Sequence, residues 1–298
     1  MFTHIDHVMI AVAGLQQGMD HFAAMGFNIA MGGEHPGRGT HNAIAFNQTD
    51  YIELIAIHNL PEHLASVAGG RSGDGGLPDF IAAGGGVRYI VIGSNDLSAD
   101  VAAMRNRGVD VGDPLDGSRT TPAGQTLRWR SASLAPGVDM PVFFIQHLTP
   151  LAERQATAPN AGKHPNGVRY LERVYIAVED IRASAGLYAR VLGLPAPPPQ
   201  RGNVIKADMT PFQIGPSGIV PAQPMEPGPA QEAMDRRGPG PFQVLYRTDA
   251  MGAADAWMDG HGVPPRARGV RNTGEHAMLV PPGYACGAYI GFVGMPSV

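Results

Sequence analysis

A histidine and a glutamate, each set in an apolar, strand-like run, are the side chains of this chain best placed to do chemistry. His7 lies in HIDHVMIAV, where Val8, Ile10 and Val12 alternate with it, so the imidazole faces away from them. A neutral imidazole there can ligate zinc, iron or nickel, or it can be a hydrogen-bonded histidine at a strand start. Glu53 lies between Ile52 and Leu54 in YIELIAI. A carboxylate inside such a strand must be paired, protonated or bound to a metal, unless the strand turns that face to solvent.

Two further clusters could act on an anionic substrate. In HPGRGTHNA, Gly37 and Gly39 free the backbone, Arg38 offers a planar donor fork, and His41 could serve as a general acid or base. The bland alternative is a turn with a solvated Arg and His. In SRTTPAGQTLRWR, Arg128 and Arg130 alternate with Leu127 and Trp129 and so share a face. Turned inward they would hold an anion together with Arg119; turned outward they are solvated charges. The inward arrangement is the expectation here. His21, His35, His58 and His63 stand in no such pattern.

The elements that carry these residues come as one phrase repeated four times: a β-type run, a turn ending in an apolar residue, and a short amphipathic helix closed by glycine. The helices open at Leu15, Leu97, Ile181 and Met251 and close at Gly26, Gly108, Gly193 and Gly262. In the first copy a strand over His4 to Val12 is followed by candidates at Phe27 to Met31, Asn42 to Phe46 and Tyr51 to Ile57, a βαβββ module. The second copy gives strands at Val87 to Gly93, Gln125 to Ser133 and Val142 to Leu148 around a helix over Leu97 to Arg107. The expected class is α+β, with modules 1–58 and 86–150 in a first half of residues 1–150. A glycine-rich stretch (69–86) reads as a surface connection or lid, residues 151–166 as a polar linker, and 167–298 as a second, degenerate half in which a proline-rich stretch, PAQPMEPGPAQ, separates the two modules.

Composition limits the functional classes. Of 298 residues, 44% are hydrophobic and 16% charged, so a packed core is expected and disorder is not. A formal net charge of -4 without a basic block argues against a nucleic-acid partner. No apolar run approaches the ~18 residues of a membrane span, and the N-terminus lacks the pattern of a signal peptide. The single cysteine, Cys286, fits a reducing, cytoplasmic setting.

The segments IDHVMIAV, HPGRGTHNA, YIELIAI, SRTTPAGQTLRWR and PVFFIQHL together resemble the vicinal oxygen chelate superfamily, and specifically its glyoxalase-like domain group. The resemblance implies tandem βαβββ modules closing into cup-shaped mixed sheets around a divalent metal (Zn, Ni, Fe, Mn or Co) that chelates neighbouring substrate oxygens. It implies His7 and Glu53 as ligands. Alignment of the copies sets His7 opposite Tyr89, Arg173 and Gln243, and Glu53 opposite Gln146 and, in the last copy, near Gly291. Gln146 is then the third ligand, since glyoxalase I itself uses a glutamine, while Tyr89 or His41 moves the proton. The second half keeps the scaffold without the ligands, so no metal is expected there, and Arg173 is left to bind an anion or make a structural pair. The reading is a lyase or isomerase that stabilises an enolate-like intermediate of a small, anionic substrate; a homodimer is compatible with it. The alternative is a metal-free sequestering protein of the bleomycin-resistance type, its cavity lined by Met9, Met25 and Met31. An extradiol dioxygenase is disfavoured, because that family needs two histidines and a carboxylate and keeps its site in the second half.

Overall fold

The computed structural model describes residues 1–70, 74–121, 124–271 and 273–296. Parts of two expected segments, 71–73 of the glycine-rich stretch and 122–123 of the SRTTPAG turn, lie outside the described residues.

The first half runs β1 (Phe2–Ala11), α1 (Leu15–Ala24), β2 (Ala30–His35), β3 (Thr40–Phe46), β4 (Tyr51–Ile57), α2 (Leu60–Ala68), α3 (Leu77–Ala82), β5 (Gly86–Ser94), α4 (Leu97–Asn106), β6 (Leu115–Thr120), β7 (Thr126–Ser133), β8 (Val142–His147) and α5 (Leu151–Gln155). The second runs β9 (Val168–Ala177), α6 (Ile181–Leu192), β10 (Gln200–Gly202), β11 (Ala207–Met209), β12 (Phe212–Ile214), β13 (Ser217–Pro224), α7 (Pro229–Arg237), β14 (Gly240–Thr248), α8 (Met251–Gly260), β15 (Ala267–Val270), β16 (His276–Val280) and β17 (Tyr289–Gly294). All four repeat helices open on the anchoring apolar residue. Gly193 closes α6 in the left-handed conformation, at φ 69°.

Each half is one curled mixed sheet. The strand orders are β2-β3-β4-β1-β5-β8-β7-β6 and β10-β11-β13-β9-β14-β17-β16-β15, with β12 paired to β13. The first sheet nearly closes, because Arg119 Nη1 on one edge strand, β6, donates to Gly32 O on the other, β2, at 2.7 Å; the second is a half-barrel.

The central antiparallel pairs carry a device absent from any simple strand pattern. The β1–β5 register slips at Asp6 and again at Arg88, and the β9–β14 register slips at Glu172 and at Phe242. These four bulges fall at the same place in the repeat, one residue before His7, Tyr89, Arg173 and Gln243; each pair slips a third time, at Thr3 and at Arg169. A bulge sets two successive residues against one on the partner strand, so both can face the same side. Ile5 and Val8 therefore both enter the core, while Asp6 and His7 both face the opposite, concave side.

The convex faces meet across the repeat helices in one shared core, with Val8, Ile10, Phe22, Leu97 and Phe144 continuous with Val174, Tyr188, Tyr246 and Phe292. Phe27 of the first half lies 5.3 Å from the Tyr246 ring and 5.9 Å from Phe292. The two concave faces form two cups that differ in what fills them. In the second, α7 seats Ala230 and Ala233 among Tyr175, Val220, Ala222, Phe242 and Tyr289. In the first, α3 covers one end through Leu77 against Ala11 and Ile55. Residues 151–166 join the two halves as a packed segment: α5 begins it, Ala158 and Ala161 sit on Ile44, Phe46 and Tyr51, and Arg154, His164 and Asn166 are buried. Their polar groups are satisfied by specific bonds, such as Asn166 Nδ2 to Met25 O at 2.9 Å, which leaves no apolar periodicity to read.

Candidate functional site in the first cup

His7 stands on the floor of the first cup, 3% exposed, with its ring stacked on Tyr51 at 4.2 Å and edge-on to Phe143 at 6.2 Å. Its two nitrogens face two carboxylates: Nδ1 lies 2.7 Å from Asp6 Oδ1, and Nε2 lies 3.4 Å from Glu53 Oε2. Glu53 Oε1 accepts from Asn42 Nδ2 at 2.7 Å. His7 and Glu53 come from β1 and β4, which pair in parallel with Met9 opposite Glu53.

Electrostatics follow from this geometry. Burial opposes the imidazolium, but hydrogen bonds and charge from Asp6 and Glu53 outweigh it and raise His7 above its ordinary value. Burial likewise opposes the Glu53 carboxylate, yet His7, His35 and Asn42 bring it down to about 2. Asp6 is held well below the usual carboxylate range: burial acts against the charge, and bonds from His147 and His7 overcome it. His147 Nε2 is 3.0 Å from the same Asp6 oxygen, but it faces one carboxylate rather than two, and burial leaves its own value lowered.

Several expected residues lie elsewhere. Gln146 is on the convex face: its Oε1 accepts from Leu97 N at 3.1 Å and its Nε2 donates to Asn95 O at 3.0 Å, so it caps α4 and does not join His7 and Glu53. The ladder shows the slip. Val8 pairs with Ile52 and Ile90 with Val142, so the residue equivalent to Glu53 is Phe143. His147, one residue further along β8, faces the cup. His41 also faces the convex side, its ring 5.3 Å from His58; its neighbours Thr40 and Asn42 line the cup. Arg128 and Arg130 share the outward parity of Ala132, are exposed, and Arg130 pairs with Asp116 at 2.9 Å. Arg38 is exposed in the β2–β3 turn, with its carbonyl 3.1 Å from His63 Nδ1.

Others are brought together. Tyr89 reaches the cup, 6.0 Å from Phe143, and burial raises its phenol, so it is a neutral donor. Arg119 lines a hollow with Gly32, Ile44, Phe46, Thr121 and Thr157 beside the β3–β4 ladder, where Ile44 is opposite Glu53. Met31 lines the same hollow, while Met25 is fully buried in the core. Sequence reasoning missed Asp6, His35, Asn42 and His147. His35 is kept neutral by burial and lies within the field of Glu53. A bulge signal would have been needed to find Asp6; alternation of THNAIAF from its buried end would have found Asn42.

The donor set can be tested against a divalent ion. Among the described residues no three His, Cys, Asp or Glu side chains converge at ligand geometry. Two donors, His7 Nε2 and Glu53, do face each other, and Asp6 anchors the far side of the imidazole as a carboxylate behind a ligating histidine does. Two protein donors are one fewer than such an ion normally takes from a protein, so water and substrate oxygens would have to complete its shell.

The chain belongs to the glyoxalase-like domain family, whose model matches residues 5–192, and its fold is that of the vicinal oxygen chelate superfamily. A hypothetical protein from Staphylococcus aureus is similar over 100% of both chains, at 14% identity and TM-score 0.67. A substituted 4-hydroxymandelate synthase from Streptomyces coelicolor is similar over 100% of this chain and 94% of its own, at 14% identity and TM-score 0.66. A fusion of a xylose isomerase-like TIM barrel with a 4-hydroxyphenylpyruvate dioxygenase matches over 98% of this chain and 48% of its own, at 12% identity and TM-score 0.60. At these identities the likeness is one of fold. No curated protein matches the sequence. No helix among the described residues is long and apolar enough to cross a membrane.

Proposed function

We propose that the first cup is the reaction site of a glyoxalase-like lyase or isomerase, built on His7 and Glu53 and using a divalent metal ion. The observation that carries this reading is the line Asp6–His7–Glu53, in which one carboxylate holds Nδ1 at 2.7 Å and a second faces Nε2 at 3.4 Å. The carboxylate behind the ring fixes its tautomer and raises its basicity, which favours a ligating Nε2. A bound ion would supply Lewis-acid polarisation of two neighbouring substrate oxygens.

The chain's own groups divide the remaining work. Arg119 holds the anionic end of the substrate in the hollow beside Glu53. Tyr89, kept neutral, donates a hydrogen bond or proton, and His35, also kept neutral, can accept one. Phe143, in the place equivalent to Glu53, makes the site one-sided and helps exclude water.

Calorimetric titration with Zn2+, Ni2+ and Mn2+, together with metal content after gentle purification, tests the reading. One ion per chain is expected, with binding lost in both His7→Ala and Glu53→Ala. Absence of metal uptake, with no dependence of turnover on divalent ions, would favour a metal-free sequestering protein instead.

A further inference from the structure

A cavity of about 350 Å³ lies at the seam of the two halves, within the ~300–1,000 Å³ of ordinary ligand sites. Its wall is built by the start of α1 and the end of α3 from the first half, and by the end of α7 and the turn before β17 from the second. Val12, Ile81 and Pro282 give it apolar patches, and no acidic side chain lines it.

The cations at this seam are not balanced. Arg236 lines the cavity, Arg237 follows it at the end of α7, and both donate through Nη2 to one carbonyl on the wall, Gly287 O, at 2.8 Å and 2.9 Å. Two like charges thus converge on a single neutral oxygen. The acids of the same helix are spent elsewhere among the described residues: Glu232 on Arg266 and Tyr289, and Asp235 on Gln231. Burial, with Arg236 beside it, brings Arg237 down to about 10, and its Nη1 is buried without a hydrogen-bond partner. A guanidinium desolvated without an anion is costly, so an anion is called for. Arg237 is also fixed from behind, its Cζ 5.0 Å over the Phe80 ring.

Neutral donors stand on the facing wall. Gly14 opens α1 without a side-chain cap, and the first turn holds no acidic residue. Cys286 Sγ lies 3.5 Å from His21 Nδ1. Burial pushes that thiol up to about 11, so it donates to the ring and leaves the ring proton on Nε2.

We infer that this cavity binds a small phosphate monoester, with Arg236 as the direct partner of the phosphate, Arg237 supplying a second charge, and His21 as a neutral donor. A phosphate monoester carries close to two negative charges at neutral pH, which matches two uncompensated guanidiniums better than a single carboxylate does. The planar guanidinium fork also suits phosphate geometry. The organic part rests on Val12, Ile81 and Pro282. No residue of the His7–Glu53 centre lines the cavity, so the site stands independently of the reaction proposed for the first cup.

Isothermal titration of the full chain at constant ionic strength, with inorganic phosphate and glycerol phosphate against acetate and malonate, tests this. Saturable binding of one phosphate per chain is expected, with acetate and malonate weaker by about tenfold. Arg236→Met should weaken both phosphates by roughly 10–100-fold, with partial recovery in Arg236→Lys. Gly283 lines the cavity, and a β-carbon there meets nothing within 4 Å, so Gly283→Phe should block binding with both arginines intact. His7→Ala should leave phosphate binding unchanged. The inference is overturned if neither phosphate binds saturably. Malonate binding as tightly as phosphate, retention of affinity in Arg236→Met or Gly283→Phe, or loss of binding in His7→Ala would overturn it as well. Circular dichroism of each variant separates loss of binding from loss of fold.

Discussion

The two cups are built to one plan and filled in opposite ways. Both have a bulged central pair, and in each cup two of the bulges deliver adjacent side chains to the concave floor. In the first cup those positions hold Asp6 with His7 and Arg88 with Tyr89; in the second they hold Glu172 with Arg173 and Phe242 with Gln243. The place of Glu53 is taken by Val220 in the third module, where α7 packs on it, and by Gly291 in the fourth. The backbone device is therefore retained where the histidine–carboxylate pair is not. A bulge that only completed the sheet would carry no requirement for chemistry on its residues; here it sets the stage in both cups, and residue identity decides what each can do.

The largest effect should come from forcing the first cup's chemistry on the second. Val220→Glu puts a carboxylate where Val220 is 1% exposed against α7, with no imidazole to meet it. A loss of roughly 3–5 kcal/mol is expected, measurable by denaturant unfolding, and no metal site is gained. A stable variant that binds a second ion would break the contrast between the cups.

A smaller effect isolates the bulge residue. Asp6→Asn should weaken metal binding by about 10–100-fold while leaving Glu53 in place, because it removes the negative charge behind His7 Nδ1. Unchanged affinity would reduce Asp6 to a sheet-forming residue.

The smallest effect lies where the halves meet. Asp50 is buried in the β3–β4 turn and accepts Leu171 N of the second half at 2.9 Å. Burial is the main cause that pushes its carboxyl up to about 7, against bonds from Asn47, Leu171 and Thr49. The folded value is above the unfolded one. This group's stabilising contribution is therefore full below about pH 4 and is lost as pH rises through about 7. Asp50→Asn should flatten that part of the stability profile. An unchanged slope between pH 4 and 7 would show that another group sets it.

The repeat grammar was legible because helix periodicity and closing glycines are local signals: Leu15, Leu97, Ile181 and Met251 each open a helix. His7 and Glu53 were legible because a polar residue inside an apolar strand has few explanations, and both lie on the cup floor. What escaped were relations that depend on register. A one-residue slip turns every side chain to the other face of a sheet. That slip separates Gln146 from His147 and His41 from Asn42, and a bulge hides the partnership of Asp6 with His7. The inward reading of Arg128 and Arg130 failed for the same reason. Segment 151–166 and α7 were opaque because small alanines, prolines and well-bonded polar residues can cover a cup without any periodic apolar stripe.

Anomalous diffraction from crystals soaked in Mn2+ tests the central claim most directly. The account predicts one peak per chain, between His7 Nε2 and Glu53, and none in the second cup. A peak in the second cup, or a first cup without one under conditions where Mn2+ supports turnover, would contradict it.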